Sequence, residues 1–236
     1  MGTRSILLIL GVLAAQLTAC APPTSDMPAI TVDTLITGGL IYDGSGDKPR
    51  SADLGISMGK IAFIGDAGAE GVSSSNTIDA AGLWVTPGFI DAHSHAELDK
   101  DYGKDALPYL YQGITTVVLG LDGDGTSNVA ERLESWEKNG IGANGIAFVG
   151  HGFIRGAVIG REDRDPTPDE LEEMRAHVNR AMEEGAFGLS SGLFYVPGTY
   201  ASTDEVIELA REAAKFPNAI YDTHDRDLGA VYEGIG

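Results

Sequence analysis

The sequence is poor in cysteine and in positive charge. Its 236 residues include one cysteine, so no disulfide bond can form within the chain. Sixteen Lys and Arg residues stand against 35 Asp and Glu residues, which gives a formal net charge of −19 at pH 7. Because an acidic surface repels a phosphate backbone, this balance excludes nucleic acid as an expected partner.

The N-terminal apolar run is too short to cross a bilayer. Residues 6–15 follow Arg4, whereas a membrane-spanning helix needs roughly 20 apolar residues. The pattern predicts a secretory signal peptide over residues 1–19. The next string, Leu-Thr-Ala-Cys at residues 17–20, resembles the lipobox of bacterial lipoproteins. That resemblance implies lipidation of Cys20, a tether over residues 20–30 and anchoring to the membrane of a bacterial cell envelope, on the periplasmic side. The alternative is a signal peptide with a chance cysteine.

Two kinds of pattern follow along the chain. Residues 31–86 contain short β-rich runs separated by glycine turns, which predict a small antiparallel β unit. From residue 87 onward, strands alternate with helical periodicity, as in a parallel βα array. The predicted strands cover residues 87–92, 114–120, 145–150, 187–193 and 219–224. Five such steps fit an open doubly wound sheet or part of an eight-stranded barrel. A G-x-G-x-x-G string is lacking after the first strand, which disfavours a dinucleotide-binding fold.

The helices between these strands carry clear signals. Residues 127–138 place Val129, Leu133 and Trp136 on one face. Two later helices are predicted to begin with a capping box, formed by Thr167 with Glu170 and by Ser202 with Glu205. Their apolar faces are Leu171, Met174 and Val178 in the first, and Val206, Leu209 and Ala213 in the second.

His93 and His95 are two residues apart at the end of the first predicted barrel strand. A period of two places both side chains on one face, where they can converge on one metal ion. The string PGFIDAHSH at residues 87–95 resembles the first-strand metal motif of the amidohydrolase superfamily. The strings QGITTVV at residues 112–118 and GAFGLSSGLFYVPGTY at residues 185–200 resemble the N-acyl-D-amino-acid deacylases of that superfamily.

The resemblance covers residues 33–236 and implies a fold. Residues 31–86 would form a β-sandwich segment, and residues 87–236 would form an incomplete (β/α)8 TIM barrel with about five of its eight strands. The sixth-strand His ligand and the eighth-strand Asp, which is the catalytic base in the family, would then lie beyond Gly236. We therefore expect a fragment of a longer protein, with no catalytic residue inside this chain; a natural truncation is the alternative.

The resemblance also implies metal ligands. His93 and His95 match the first-strand ligands, and His224 matches the ligand at the end of the fifth strand. Many family members carry a metal-bridging Cys where this chain has Asp122, and we infer that the Asp takes the bridging or coordinating place. The alternative is that Asp122 only caps a loop or a helix, and Asp124 is a second carboxylate in the same string.

Other superfamily members use a carboxylated lysine as the bridge between two metal ions. Here every lysine falls outside the five predicted strands, which disfavours that bridge within the chain. A divalent metal, zinc first, is expected as one or two ions, and the Asp oxygen makes the site less hostile to manganese or iron than a thiolate would.

Substrate contacts are expected from Ser191 and Tyr195, with barrel packing as the alternative for both. His151 and Arg155 follow the third predicted barrel strand near the same end, where a structural hydrogen-bonding role is at least as well supported.

The resemblance implies a small-molecule hydrolase. The expected reaction of the complete protein is metal-dependent hydrolysis of the amide bond of N-acyl-D-amino acids. The alternatives are another amidohydrolase reaction (dipeptidase, cyclic-amide hydrolase or deaminase) on the same scaffold, and an inactive lipid-anchored binding module.

Lipidation at Cys20 is directly testable. We expect cells that express the protein to incorporate labelled palmitate into it, and globomycin to block its processing to the smaller mass. A Cys20→Ser variant is the matched control and should take up no label. Equal labelling of both proteins would exclude the lipobox interpretation.

Overall fold

The structure, a computed structural model, describes residues 30–226. The predicted signal peptide, Cys20 and all but the last residue of the tether therefore lie outside the described residues. The chain divides between Thr86 and Pro87 into two compact units. No helix within residues 30–226 combines the length and the apolar character that crossing a bilayer requires.

The first unit contains one mixed five-stranded sheet. Its elements are β1 (Thr31–Ile41), β2 (Arg50–Ser57), β3 (Lys60–Gly65), α1 (Ala67–Glu70), β4 (Ser73–Asp79) and β5 (Trp84–Val85). Strand β2 pairs antiparallel with both β1 and β3, whereas β4 and β5 pair parallel with β1. Val32, Leu35, Phe63 and Ala67 form its buried core.

The expectation of a purely antiparallel unit is wrong. Strand β3 runs in the same direction as β1, because each of them is antiparallel to β2. The connection through α1 then carries the chain to the opposite edge of the sheet, so β4 enters parallel to β1. A sandwich needs a second facing sheet. The described residues of this unit form one sheet, so the sandwich stays a prediction.

The second unit alternates parallel strands with helices. Its strands are β6 (Phe89–Asp91), β7 (Ile114–Leu119), β8 (Asn144–Ala147), β9 (Val149–Gly150), β10 (Gly188–Gly192) and β11 (Ile220–His224). Its helices are α2 (Leu107–Leu110), α3 (Val129–Asn139), α4 (His151–Val158), α5 (Pro168–Glu183) and α6 (Thr203–Ala213).

The third predicted strand of this unit is divided into β8 and β9. Strand β8 pairs with β7, and β9 pairs with β10, so the orders are β6-β7-β8 and β9-β10-β11 with all neighbours parallel. Hydrogen bonds continue across the division, since the Phe148 N–H donates to the Leu119 carbonyl and the Phe187 N–H donates to the Ala147 carbonyl. The predicted alternation of parallel strands and helices is confirmed.

The predicted apolar faces of the helices are buried against these strands. Val129, Trp136, Met174, Val178 and Leu209 lie in one hydrophobic core with strand residues such as Val117 and Leu189. The capping box at the start of α5 is confirmed, because Thr167 Oγ1 accepts the Glu170 N–H at 3.3 Å and a Glu170 carboxylate oxygen accepts the Thr167 N–H at 2.7 Å.

The second predicted capping box is only half present. Ser202 Oγ accepts the Glu205 N–H at 3.4 Å, but the Glu205 carboxylate turns inward. One of its oxygens lies 2.8 Å from His151 Nε2, and the other accepts a hydrogen bond from the Arg155 guanidinium. The three side chains are fully buried. The Glu205 carboxylate thus bonds to two buried side chains instead of the backbone N–H of Ser202, and His151 and Arg155 have a structural role.

This buried cluster joins α4 to α6. His151 and Arg155 are four residues apart, hence on one face of α4. Arg155 also donates to the carbonyl of Arg164 at 2.6 Å. Burial acts to raise the pKa of Glu205, but the hydrogen bonds from His151 and Arg155 outweigh it and hold that pKa below its usual value of 4.5. The cluster therefore holds a carboxylate whose charge is fully paired.

Replacing Glu205 tests how much this cluster stabilises the protein. We expect Glu205→Gln to lower the free energy of unfolding by about 3–5 kcal/mol, because it leaves the buried Arg155 charge without a partner. Glu208→Gln on the same helix is the control. It removes only a partly exposed ion pair with Arg211, so the loss should stay below about 1 kcal/mol. Urea unfolding followed by tryptophan fluorescence measures both values.

The same pair of proteins has a defined pH dependence. A carboxyl whose folded pKa lies below its unfolded pKa stabilises the folded state above the unfolded pKa, and this contribution disappears as the pH falls through the folded pKa. The difference between wild type and Glu205→Gln should therefore stay constant near neutral pH and shrink below about pH 4.5. A difference that stays constant throughout acid unfolding would contradict the assignment.

Candidate metal centre

His93 and His95 lie directly after β6, at the carboxyl end of the parallel strands. The Ser94 N–H donates to the Val118 carbonyl at 3.0 Å, so this segment continues alongside β7. The two histidine side chains consequently project to the same place, with ring centroids 5.6 Å apart. The structure thus brings together the two residues that the spacing of two predicted to converge.

Asp122 lies in the turn that follows β7. Its backbone is left-handed, with φ of 56°, a conformation that Asp and Asn adopt more readily than most other residues. Strand β10 packs closely against this turn, because a Cβ atom on Gly192 would lie 2.0 Å from the Asp122 carbonyl oxygen. Only glycine at position 192 permits this contact, which places the turn against β10.

The Asp122 carboxylate lies between the two imidazoles. Its Oδ1 is 3.3 Å from His93 Nε2, and its Oδ2 is 3.1 Å from His95 Nε2. One nitrogen from each histidine and one carboxylate oxygen all lie within 4.8 Å of one another. The Asp122 side chain is largely buried, whereas the two imidazoles are exposed.

The donor set fits a divalent cation. Two imidazole nitrogens and a carboxylate oxygen are ligands that zinc accepts, and the exposed side of the cluster leaves room for a further ligand. Asp122 Oδ1 is buried and accepts no hydrogen bond within the described residues. A buried carboxylate oxygen without a donor is costly, and a bound cation would remove that cost.

Tyr195 and His224 lie together beside this cluster. The ring centroid of Tyr195 is 4.8 Å from that of His224, and the Phe194 ring packs on the same histidine at 5.4 Å. Tyr195 shares the lining of one cleft with His95 and Asp122. His224 is the last residue of β11, but its nitrogens are not among the three donors that lie within 4.8 Å of one another. Its role as a ligand stays a prediction.

Ser191 is buried and already hydrogen-bonded. Its Oγ lies 2.6 Å from the Tyr221 hydroxyl and 2.7 Å from the Thr223 hydroxyl, both on β11. The neighbouring Ser190 Oγ donates to the Gly120 carbonyl at 2.6 Å and accepts the Gly123 N–H at 3.1 Å, so it packs the Asp122 turn against β10. Contact of Ser191 with substrate stays a prediction and would require an exchange of these partners.

Sequence reasoning missed one carboxylate at this site. Asp222 Oδ1 lies 3.6 Å from His93 Nδ1, on the other side of the ring from Asp122. The only available signal was its position two residues before His224, which places both side chains on one face of β11. The contact joins a residue directly after β6 to one in β11, the first and the last strands that the structure describes in this unit.

The comparisons with known proteins identify a family for the chain. No protein-family model matches the chain. The D-aminoacylase of Alcaligenes xylosoxydans xylosoxydans is 35% identical over 220 residues, which cover 84% of this chain and 45% of that protein. The chain thus spans about half the length of the curated relatives it matches.

Solved structures show the same relationship. The crystal structure of N-acyl-D-glutamate deacylase from Bordetella bronchiseptica, complexed with zinc and a phosphonate inhibitor, has 34% sequence identity and a TM-score of 0.76 over 84% of this chain and 46% of that chain. A D-aminoacylase structure concerned with a binuclear metal centre has 33% identity and a TM-score of 0.75, over 83% of this chain and 46% of that one. By sequence and by fold, the chain belongs to the N-acyl-D-amino-acid deacylases of the amidohydrolase superfamily and corresponds to the N-terminal part of its relatives.

Proposed function

We propose that this chain is the metal-binding N-terminal part of a hydrolase that cleaves the amide bond of N-acyl-D-amino acids. The observation that carries the proposal is the convergence of His93, His95 and Asp122 beside a cleft in a member of this family. A purely structural role as buried, hydrogen-bonded core side chains does not explain why the two imidazoles are exposed while the carboxylate they face is largely buried.

The metal proposal rests on the same three side chains. His93, His95 and Asp122 would hold one divalent ion, zinc first, and His224 would be a further ligand from the end of β11. The zinc of the Bordetella bronchiseptica structure and the binuclear centre of the D-aminoacylase structure support one or two ions. A divalent cation supplies Lewis acidity toward a carbonyl oxygen and toward water when it is bound.

The cleft beside the metal ligands gives this chain a second task, which is to hold the substrate. The Tyr195 hydroxyl can donate a hydrogen bond to a substrate oxygen. Phe153, Val196 and Pro197 form an apolar part of the same cleft, suited to hydrocarbon of the acyl group or the amino-acid side chain. We assign no general acid or base within the described residues.

The fold part of the proposal concerns the barrel. The five parallel strand positions, with β8 and β9 as one, would be the first five strands of a (β/α)8 barrel. Two observations support it: the strands remain parallel and sequential throughout, and the structural relatives are amidohydrolases of this class. Metal ligands and cleft then lie at the carboxyl end of the strands, where barrel enzymes hold their active sites.

Anchoring through Cys20 is a separate proposal. It rests on the residues that precede the cysteine and on no structural contact, because Cys20 lies outside the described residues.

Removal of the carboxylate tests the metal site. We expect the protein expressed from its complete reading frame to contain a divalent metal after dialysis, measured by plasma mass spectrometry. Asp122→Ala should weaken zinc binding by more than the roughly 100-fold that loss of an outer-shell partner can cause, because it removes a donor atom. Asp124 lines the same cleft but is not one of the three clustered side chains, so Asp124→Ala is the matched control and should keep the zinc affinity of the wild type. Equal metal content in Asp122→Ala and wild type would exclude the ligand role.

A panel of paired enantiomers tests the reaction. The complete protein should hydrolyse N-acetyl-D-amino acids with kcat/KM about 100-fold or more above the values for N-acetyl-L-amino acids. The reason is that a chiral cleft can place the amide carbonyl of only one enantiomer correctly beside the proposed metal site. Amine release by a fluorogenic assay measures this ratio. Equal rates would remove the D-specific proposal, hydrolysis of cyclic amides alone would favour the other amidohydrolase reactions, and a metal-free, inactive protein would favour a binding module.

A further inference from the structure

Asp222 is a carboxylate that faces the His93 ring but is not part of the cluster of His93, His95 and Asp122. It lies in the middle of β11, and its Oδ1 is 3.6 Å from His93 Nδ1. Its Oδ2 is buried and has no hydrogen-bond partner within residues 30–226. Burial of Oδ2 without a donor makes the charged carboxylate unfavourable, and an interaction of Oδ1 with His93 would offset part of that cost.

The His93 ring lies between two carboxylates. Nε2 faces Asp122 Oδ1 at 3.3 Å, and Nδ1 faces Asp222 Oδ1 at 3.6 Å. A histidine that binds a metal ion through one nitrogen carries its proton on the other nitrogen, and that N–H usually donates to a carboxylate, a carbonyl or a water. With the proposed ion bound at Nε2, the proton would be on Nδ1, the nitrogen that faces Asp222.

We propose that Asp222 is a positioning residue for His93. It accepts the Nδ1–H hydrogen bond, fixes the tautomer that leaves the Nε2 lone pair directed at the metal position, and restrains the rotation of the ring. This inference rests on the proposed metal site. The separation of 3.6 Å exceeds a hydrogen bond, so the proposal requires the ring or the carboxylate to rotate until the two atoms are about 3.2 Å apart or closer.

Neighbouring groups do not take over this task. Asp91 Oδ1 accepts the backbone N–H of His93 at 3.3 Å and so addresses the main chain rather than the imidazole. For His95, Asp122 is the only carboxylate within ion-pair distance among the described residues. The arrangement is therefore asymmetric: His93 has a second carboxylate and His95 has none in the described part of the unit.

Strand β11 is well held for this purpose. Ser191 Oγ contacts the hydroxyls of Tyr221 and Thr223, which flank Asp222 in the sequence. The parallel register pairs Asp222 with Ser190, whose hydroxyl is bonded to the turn that carries Asp122. The same pair of strands thus positions one carboxylate on each side of His93.

Zinc affinity is the direct test, measured without reference to activity. The complete protein and its variants compete for Zn²⁺ with a chromophoric chelator. We expect Asp222→Ala to bind zinc about 10- to 100-fold more weakly than wild type. Asp222→Asn should fall between them, because an amide oxygen still accepts the hydrogen bond but carries no charge. Asp225→Asn removes an exposed charge three residues after Asp222 and should leave the affinity unchanged.

A second readout separates positioning from folding. In zinc-loaded protein labelled with ¹⁵N-histidine, the NMR signal of the His93 Nδ1 proton should be observed in the wild type and lost to solvent exchange in Asp222→Ala. The urea concentration at half-unfolding should be the same for the wild type and Asp222→Asn. Zinc binding as tight in both Asp222 variants as in the wild type would overturn the positioning role and leave the metal site intact. Absence of zinc binding by the wild type would overturn both proposals.

Discussion

The carboxylate of Asp122 is the group on which the arrangement of the candidate site depends, because it faces both imidazoles at once. It can do so only where the turn after β7 adopts a left-handed backbone and lies directly against β10. The missing side chain of Gly192 makes that approach possible. A local backbone conformation and a contact between distant strands therefore act together to place a single pair of oxygen atoms.

The site is rigid beneath and open above. Beneath it, the hydroxyls of Ser190 and Ser191 tie β10 to the Asp122 turn and to β11, so the strand ends carry satisfied hydrogen bonds. Above it, the two imidazoles remain exposed. A firmly supported set of donor atoms with one open side is the arrangement that the proposed metal site would need, since ligands must hold their geometry while another ligand enters.

Buried charge is distributed differently in the two polar clusters of the second unit. Around Glu205, both carboxylate oxygens have partners, so the cluster is a structural joint between α4 and α6. At the candidate metal centre, Asp122 and Asp222 each keep a buried oxygen without a hydrogen-bond donor. The contrast is between a carboxylate with both oxygens paired inside the fold and two carboxylates that each keep one buried oxygen without a partner in the described residues.

The sequence alone determined the features that depend on neighbours in the chain. The pairing of His93 with His95 follows from a period of two, and the capping box at Thr167 follows from a spacing of three. Only the tertiary structure decided the contacts between segments that are distant in the chain. Glu205 bonds to His151 and Arg155 instead of capping its own helix, and Asp222 of β11 lies beside His93, which follows β6. Such contacts depend on how strands pair and on which polar groups are excluded from water, and no short sequence window contains that information.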